Sequence, residues 1–234
     1  MPGSLYIVST PIGNLKDITL RAIETLKEVD FIACEDTRVT SVLLKHFGIQ
    51  EHPNHGRKEL ISVNAVNENS RINSVLGKIN RGENCALVSD AGTPGISDPG
   101  VRLISQAIKE GIQVIPVPGV SAAITALSIS GLPTDSFVFE GFLPQKKGRQ
   151  KKLKLLLEEK RTIIIYESTY RIEKLLNELN EYMPNRFIVV CRELTKKFED
   201  VWRGFPPELL NSFSEKVSKG EFVVIVSPYR TLPL

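Results

Sequence analysis

The sequence predicts an α/β chain of two domains, residues 1–117 built on a parallel sheet and residues 118–234 on a mixed one. Three observations lead there. Short apolar runs alternate with amphipathic segments from Leu5 to Val117, the pattern of right-handed βαβ units. Three of those runs end in loops dense in Gly, Pro, Ser and Thr, the composition of ligand loops at the carboxyl ends of parallel strands. Beyond Pro118 the apolar runs recur, with only a short turn between those around Val190 and Val201, so that pair is expected to be antiparallel. No disordered linker, internal repeat or low-complexity tract occurs.

The first strand is expected at residues 5–9, ending in Thr10-Pro11-Ile12-Gly13-Asn14-Leu15 before a helix over 18–27. The second, at 31–34, leads through Glu35-Asp36 into a helix over 37–47, which Asp36 suits as N-cap. A polar loop over 48–59 precedes the third strand at 60–63. The fourth, at 85–89, opens into the densest signal of the chain, Ser89-Asp90-Ala91-Gly92-Thr93-Pro94-Gly95-Ile96-Ser97-Asp98-Pro99-Gly100. Glycine there permits tight turns and close approach of a ligand, and proline stiffens the loop so that its amides and carbonyls stay aimed. Asp98-Pro99 reads as an N-cap and first-turn proline for a helix over 100–110. The fifth strand, 112–117, turns through Pro118-Gly119-Val120-Ser121 into a small-residue helix over 121–130, whose Ala122-Ala123-Ile124-Thr125-Ala126-Leu127 suits close packing within or between chains. Strands of the second domain are expected at 136–140, 162–166, 187–192, 200–204 and 222–227.

None of the three loops carries the Gly-x-Gly-x-x-Gly fingerprint or a Walker loop, so a nucleoside without a phosphate chain fits them better than NAD or ATP. The 234 residues carry a formal charge of +3 and three cysteines, Cys34, Cys85 and Cys191, all in apolar runs without metal-ligand spacing. Buried reduced thiols point to the cytoplasm, and no apolar stretch approaches the roughly 20 residues of a membrane span. The N-terminus lacks a basic-then-apolar leader pattern. Positive charge concentrates in Lys146-Lys147-Gly148-Arg149-Gln150-Lys151-Lys152-Leu153-Lys154, either a clamp for RNA phosphates or a solvated helix start. His55-Gly56-Arg57-Lys58 is a smaller basic cluster. Aromatic content is only 7%, which rules against a broad stacking surface, but Phe142, Tyr166, Tyr170 or Trp202 could each hold one base.

Further motifs, in order, are Cys34-Glu35-Asp36-Thr37-Arg38, Pro116-Val117-Pro118-Gly119-Val120-Ser121-Ala122, Gly131-Leu132-Pro133-Thr134-Asp135, Glu140-Gly141-Phe142-Leu143-Pro144, Tyr166-Glu167-Ser168 and Arg192-Glu193-Leu194-Thr195-Lys196. With the loops above, this ordered set resembles the ribosomal RNA small-subunit methyltransferase I family, on the tetrapyrrole methylase fold. The resemblance runs from Leu5 to about Ser227. It implies S-adenosylmethionine bound in a cleft between the two domains by Pro11, Gly13, Asp90, Gly92, Thr93, Ile96, Ser121 and Ala122, with Glu167 and Leu194 from the second domain. Asp90 would accept from a polar group of the cofactor or from neighbouring loop amides.

The same resemblance implies 2′-O-methylation of a cytidine in 16S ribosomal RNA within the 30S subunit, and a homodimer. Lys146, Lys147, Arg149, Lys151 and Arg171 are the expected RNA contacts. Catalysis is assigned to Lys16, Glu35, Asp36, Arg38, Glu193 and Lys196, although Asp36 equally suits a helix cap, and Glu193 with Lys196 a surface ion pair. Where the family carries histidines, this chain has Asn64, Val66 and Tyr170, so a mechanism without histidine is expected. Other readings are methylation of a tetrapyrrole or another small acceptor, and a non-catalytic nucleotide- or RNA-binding module.

Overall fold

A parallel sheet covered on both faces needs strands apolar on both faces, and every residue of Phe31–Cys34 and of Cys85–Val88 is buried. The computed structural model describes residues 1–52, 56–213 and 220–228. The chain divides into two units, Met1–Ser121 and Ala122–Leu234.

In chain order the first unit comprises β1 Ser4–Val8, a 3-10 turn Leu15–Asp17, α1 Leu20–Glu28, β2 Phe31–Cys34 and α2 Thr37–His46. Then come β3 Glu51–His52, β4 Gly56–Arg57, β5 Glu59–Ser62, α3 Glu68–Asn80, β6 Cys85–Val88, α4 Val101–Lys109 and β7 Gln113–Val117. The sheet runs β5-β2-β6-β1-β7, every pair parallel. The expected polar loop over 48–59 holds β3 and β4 as a short antiparallel pair.

Residues of α1 and α2, including Ala22, Leu26 and Leu44, pack with Val8, Ile32 and Val88. Residues of α3 and α4, including Leu76, Ile79, Leu103 and Ala107, pack with Leu5, Phe31 and Leu87 in a separate core. Each such Leu or Ile contributes roughly 1.5–3 kcal/mol by leaving water. The connection after β1 crosses β6, and the connection after β6 crosses β1 in the opposite sense. That reversal is a topological switch point at the carboxyl ends of the two strands, the position at which open α/β sheets bind ligands.

The start of α4 corrects the sequence reading. Asp98 and Pro99 stay in the loop, and the N-cap is Gly100 at φ 121°, which offers no side chain to the helix. The physical reason is close packing: a Cβ on Gly100 would lie 2.8 Å from Leu87 Cδ2. The free amides of the first turn are met from α3, where Glu68 Oε1 accepts from the backbone of Gly100, Arg102 and Leu103 at 3.1–3.2 Å.

The second unit comprises α5 Ala122–Ser128, β8 Phe137–Phe142, α6 Arg149–Leu157, β9 Thr162–Ser168 and α7 Thr169–Tyr182. It continues with β10 Ile188–Arg192, β11 Asp200–Gly204, α8 Pro206–Phe213 and β12 Glu221–Val226. Its sheet, β11-β10-β12-β9-β8, is antiparallel except for the β8 and β9 pair. Leu153, Leu156, Leu175, Leu176, Leu179 and Leu209 from α6, α7 and α8 pack against Ile163, Ile165, Val190 and Val224. The first unit runs through Ser121, and Thr93 Oγ1 donates to Val120 O at 3.0 Å within it.

Candidate functional site

The three loops singled out in the sequence meet within the first unit. Thr10 and Gly92 exchange two backbone hydrogen bonds, at 2.8 and 3.0 Å, forming a bridge between the loops after β1 and β6. Thr10 Oγ1 donates to Ser89 O at 3.1 Å. Ser9 reaches both neighbours: its amide donates to Val117 O at 3.2 Å and its hydroxyl lies 3.0 Å from Thr93 Oγ1. Gly119 has no room for a side chain, since a Cβ there would sit 2.9 Å from Ser9 Cβ. Pro11, Gly13, Asp90, Gly92, Thr93, Ile96 and Ser121 all lie on these loops, and Ile96 is 43% exposed. Ala122 opens α5 in the second unit.

Carboxylates crowd the ends of β2 and β6. Asp90 Oδ1 accepts from the Asp36 amide at 3.0 Å. Burial, then the charge of Asp90, raises the Glu35 pKa, while burial and the charge of Asp36 raise that of Asp90 itself. Asp98 is pushed up to about 6, first by burial and then by the charge of Glu35, against a hydrogen bond from Ser89. Asp36 goes the other way, down to about 2, because the Arg38 guanidinium and amide both donate to it, the closest contact being 2.6 Å. It also caps α2, one of the two roles the sequence allowed. Lys16 is exposed in the 3-10 turn. Asp98 and Ser9 were not among the sequence candidates. A second aspartate in the dense loop was the available signal for Asp98, and its reading as a helix cap hid it.

In the second unit the structure moves several expected residues off the surface. Arg149 is 3% exposed, with Nε 2.8–2.9 Å from Glu178, Nη1 donating to Pro144 O at 3.1 Å, and Nη2 3.6 Å from Glu167. The basic run therefore presents Lys146, Lys147 and Lys151 to solvent but not Arg149, and Lys152 pairs with Glu140 at 2.6 Å. Glu167, expected against the cofactor, has a fully buried side chain paired with Arg171 at 2.8 Å. Glu193 and Lys196 form the ion pair weighed as an alternative, at 3.0 Å, and Lys196 also reaches Glu221 at 2.8 Å. Burial opposes ionisation of Glu193, yet the Glu221 amide and the Lys196 ammonium hold its pKa below the ordinary value. Leu194, between them in the chain, is buried.

In the smaller basic cluster Lys58 is buried, its ammonium donating to Lys27 O and Val29 O at the end of α1. His55 lies outside the described residues. The three cysteines are buried free thiols. Among the described residues, non-glycine left-handed φ values occur at Ser97, Glu193 and Thr195. All three fall in loops singled out from sequence, and such backbone strain collects where function requires a set geometry.

The positions that carry histidine in the resembled family have other uses here. Val66 and Tyr170 are 96% and 97% exposed. Asn64 Oδ1 accepts from the amides of Val66 and Asn67 at 3.1 Å, closing the turn before α3.

The sequence pattern of the family Tetrapyrrole (Corrin/Porphyrin) Methylases matches residues 4–209. The ribosomal RNA small subunit methyltransferase I of Halalkalibacterium halodurans is 49% identical over 225 residues, 96% of this chain and 75% of that protein. The enzyme of the same name from Thermotoga maritima is 44% identical over 96% of this chain and 98% of its own length. A cobalt precorrin-4 methyltransferase shares the fold with a TM-score of 0.68 at 18% identity, over 96% of this chain and 94% of that one. A Thermus thermophilus uroporphyrin-III C-methyltransferase, solved with S-adenosyl homocysteine, does so with a TM-score of 0.65 at 17% identity, over 95% and 97%. The chain belongs to the tetrapyrrole (corrin/porphyrin) methylase family and, within it, to the ribosomal RNA small subunit methyltransferase I group.

Proposed function

We propose that this chain uses S-adenosylmethionine to methylate the ribose 2′-hydroxyl of a cytidine in 16S ribosomal RNA of the 30S subunit, acting in the cytoplasm as a homodimer. The observation that carries the reading is the joining of three strand-end loops through Ser9, Thr10, Gly92 and Thr93, in a chain whose relatives bear the rRNA methyltransferase name over nearly its whole length. The residues present suit the cofactor. Loop amides and carbonyls fit nucleoside polar groups, and the crowded carboxylates of Glu35, Asp90 and Asp98 make a negative field that favours a sulfonium cation. When bound, the cofactor supplies an electrophilic methyl group.

Pro11, Gly13, Asp90, Gly92, Thr93, Ile96 and Ser121 of the first unit are the residues proposed to hold it. Glu167 acts by holding Arg171. A ribose hydroxyl is a weak acid and needs a proton acceptor whose pKa lies near the working pH. Asp98, at about 6, suits that role better than Asp36, held near 2 by Arg38. Lys16 and the 88%-exposed Arg38 side chain offer positive charge to the RNA backbone or the developing alkoxide. Glu193 and Lys196 are proposed to set the backbone around Leu194.

Incubation with labelled cofactor and 30S particles lacking the modification, followed by mass spectrometry of the nucleosides, tests this. A ribose-methylated cytidine is expected. A methyl on a base, or transfer to tetrapyrrole acceptors alone, overturns it, and cofactor binding without transfer makes the chain a binding module.

A further inference from the structure

Of the four aromatic side chains that stood as equal candidates to hold a base, Tyr170 stands 97% exposed at the start of α7, and the surroundings of the other three separate them. Tyr166 is partly buried and its hydroxyl accepts from the Ala123 amide at 3.0 Å. Trp202 stacks on Phe222, ring centroids 6.4 Å apart and planes 27° from parallel. Phe142, in contrast, is 51% exposed at the end of β8, an edge strand.

A bulge sets the direction of Phe142. β8 pairs Phe139 with Ile164 but Gly141 with Ile165, leaving Glu140 as an extra residue, and Gly141 takes φ 57°. On an unbroken strand, residues three apart point to opposite faces. Here the rings of Phe139 and Phe142 both meet that of Tyr166, at centroid distances of 5.0 and 5.7 Å. Bulges beside functional sites re-aim a side chain in this way.

Phe142 also has a fixed cation. The Arg171 guanidinium stands 5.8 Å from its ring centroid, with Nε held by Glu167 Oε1 at 2.8 Å and Ser168 Oγ at 3.2 Å. Glu167 is fully buried and backed by Arg149, so Arg171 is anchored rather than swinging freely. Exposed Lys146, Lys147 and Lys151 follow Phe142 closely in the chain.

We propose that Phe142 and Arg171 form a stacking site for one unpaired nucleobase of an RNA strand whose phosphates lie along Lys146, Lys147 and Lys151. This rests on the ribosomal RNA reading above. Unpaired bases are recognised by stacking on aromatic rings and guanidinium planes. An apolar protein partner would strip water from Arg171 without compensation, whereas a base offers both a π face and acceptor atoms. Since every base has a π face, the site takes any base and contributes affinity more than sequence choice.

The test is binding of a fluorescein-labelled single-stranded oligoribonucleotide, by anisotropy at several salt concentrations. Phe142→Leu should weaken it roughly tenfold or more, with an unchanged salt slope, and should leave binding of a duplex RNA of equal length unaltered. Phe142→Trp should keep the affinity, and its added fluorescence should be quenched on binding. A folded Phe142→Leu protein that binds within twofold of the parent, or a Phe142→Trp protein with no quenching, overturns the site. Unchanged RNA affinity with a smaller sedimenting species assigns Phe142 to a protein contact and also overturns it. Should the parent protein fail to methylate 30S particles while its oligoribonucleotide binding still depends on Phe142, the rRNA reading falls and the stacking site stands.

Discussion

Glu68 holds the amide of Gly100 across 32 positions of sequence, its Oε1 3.2 Å from that nitrogen. The same oxygen serves the amides of Arg102 and Leu103, so one carboxylate closes α4 at the point where the dense loop ends. Glu68→Ala leaves buried donors unmet and should cost about 1–3 kcal/mol, read as a lower urea midpoint. Loss of the loop's anchor should weaken S-adenosylmethionine affinity in parallel, measured by calorimetry.

Arg149 and its neighbours in the basic run should behave oppositely. Arg149→Ala removes the close partner of Glu178, leaving it only Lys174 at 4.0 Å, and takes the more distant of two cations from Glu167, which keeps Arg171; it should destabilise by about 3–5 kcal/mol. Thermal unfolding checks this, at about 2–4 °C per kcal/mol.

Replacing Lys146, Lys147 and Lys151 together with Gln should leave stability within about 0.5 kcal/mol. RNA binding should weaken and its log–log salt slope flatten by roughly 0.7 for each phosphate no longer neutralised. A steep slope retained by the triple variant would return these lysines to a merely solvated face.

Asp98 ties stability to pH with a sign opposite to that of a salt-bridged carboxylate. Its pKa is about 6 when folded against an ordinary 3.8, so the native state holds the proton more tightly and stability falls as pH rises from about 4 through 6. Asp98→Asn should therefore gain stability over the parent at pH 8, a gain that vanishes below about pH 4. Denaturation across that range reads it.

The same substitution tests the proton acceptor. Asp98→Asn should lower methyl transfer to 30S particles on the order of 10²-fold, far more than it lowers cofactor affinity, since Glu35 and Asp90 keep most of the negative field. Replacing His46, His52 and His55 together with Gln should leave turnover within a few-fold. His46 sits at the end of α2, edge-on to Phe47 at 4.8 Å. Loss of transfer in a folded triple variant that still binds cofactor would reverse the assignment.

The sequence alone determined the two sheets and the three loops, because both signals are local. Buried runs such as Phe31–Cys34 and Cys85–Val88 announce parallel strands, and Gly-Pro punctuation after them announces the turns. The ordered motifs named the family for the same reason: each is read residue by residue. Tertiary structure decided what depends on residues far apart in sequence. A positive run cannot say which of its members folds inward, and Arg149 does so because Glu178, on another helix, comes within 2.7 Å. Asp98-Pro99 has the composition of a cap, but the space beside Leu87 put Gly100 there and gave the amides to Glu68. Asp98 acquires its raised pKa from burial and then from Glu35, which follows a different strand. The outward turn of Phe142 comes from a bulge against β9, which no alternation pattern within β8 could reveal, because pairing register belongs to two strands and not to one.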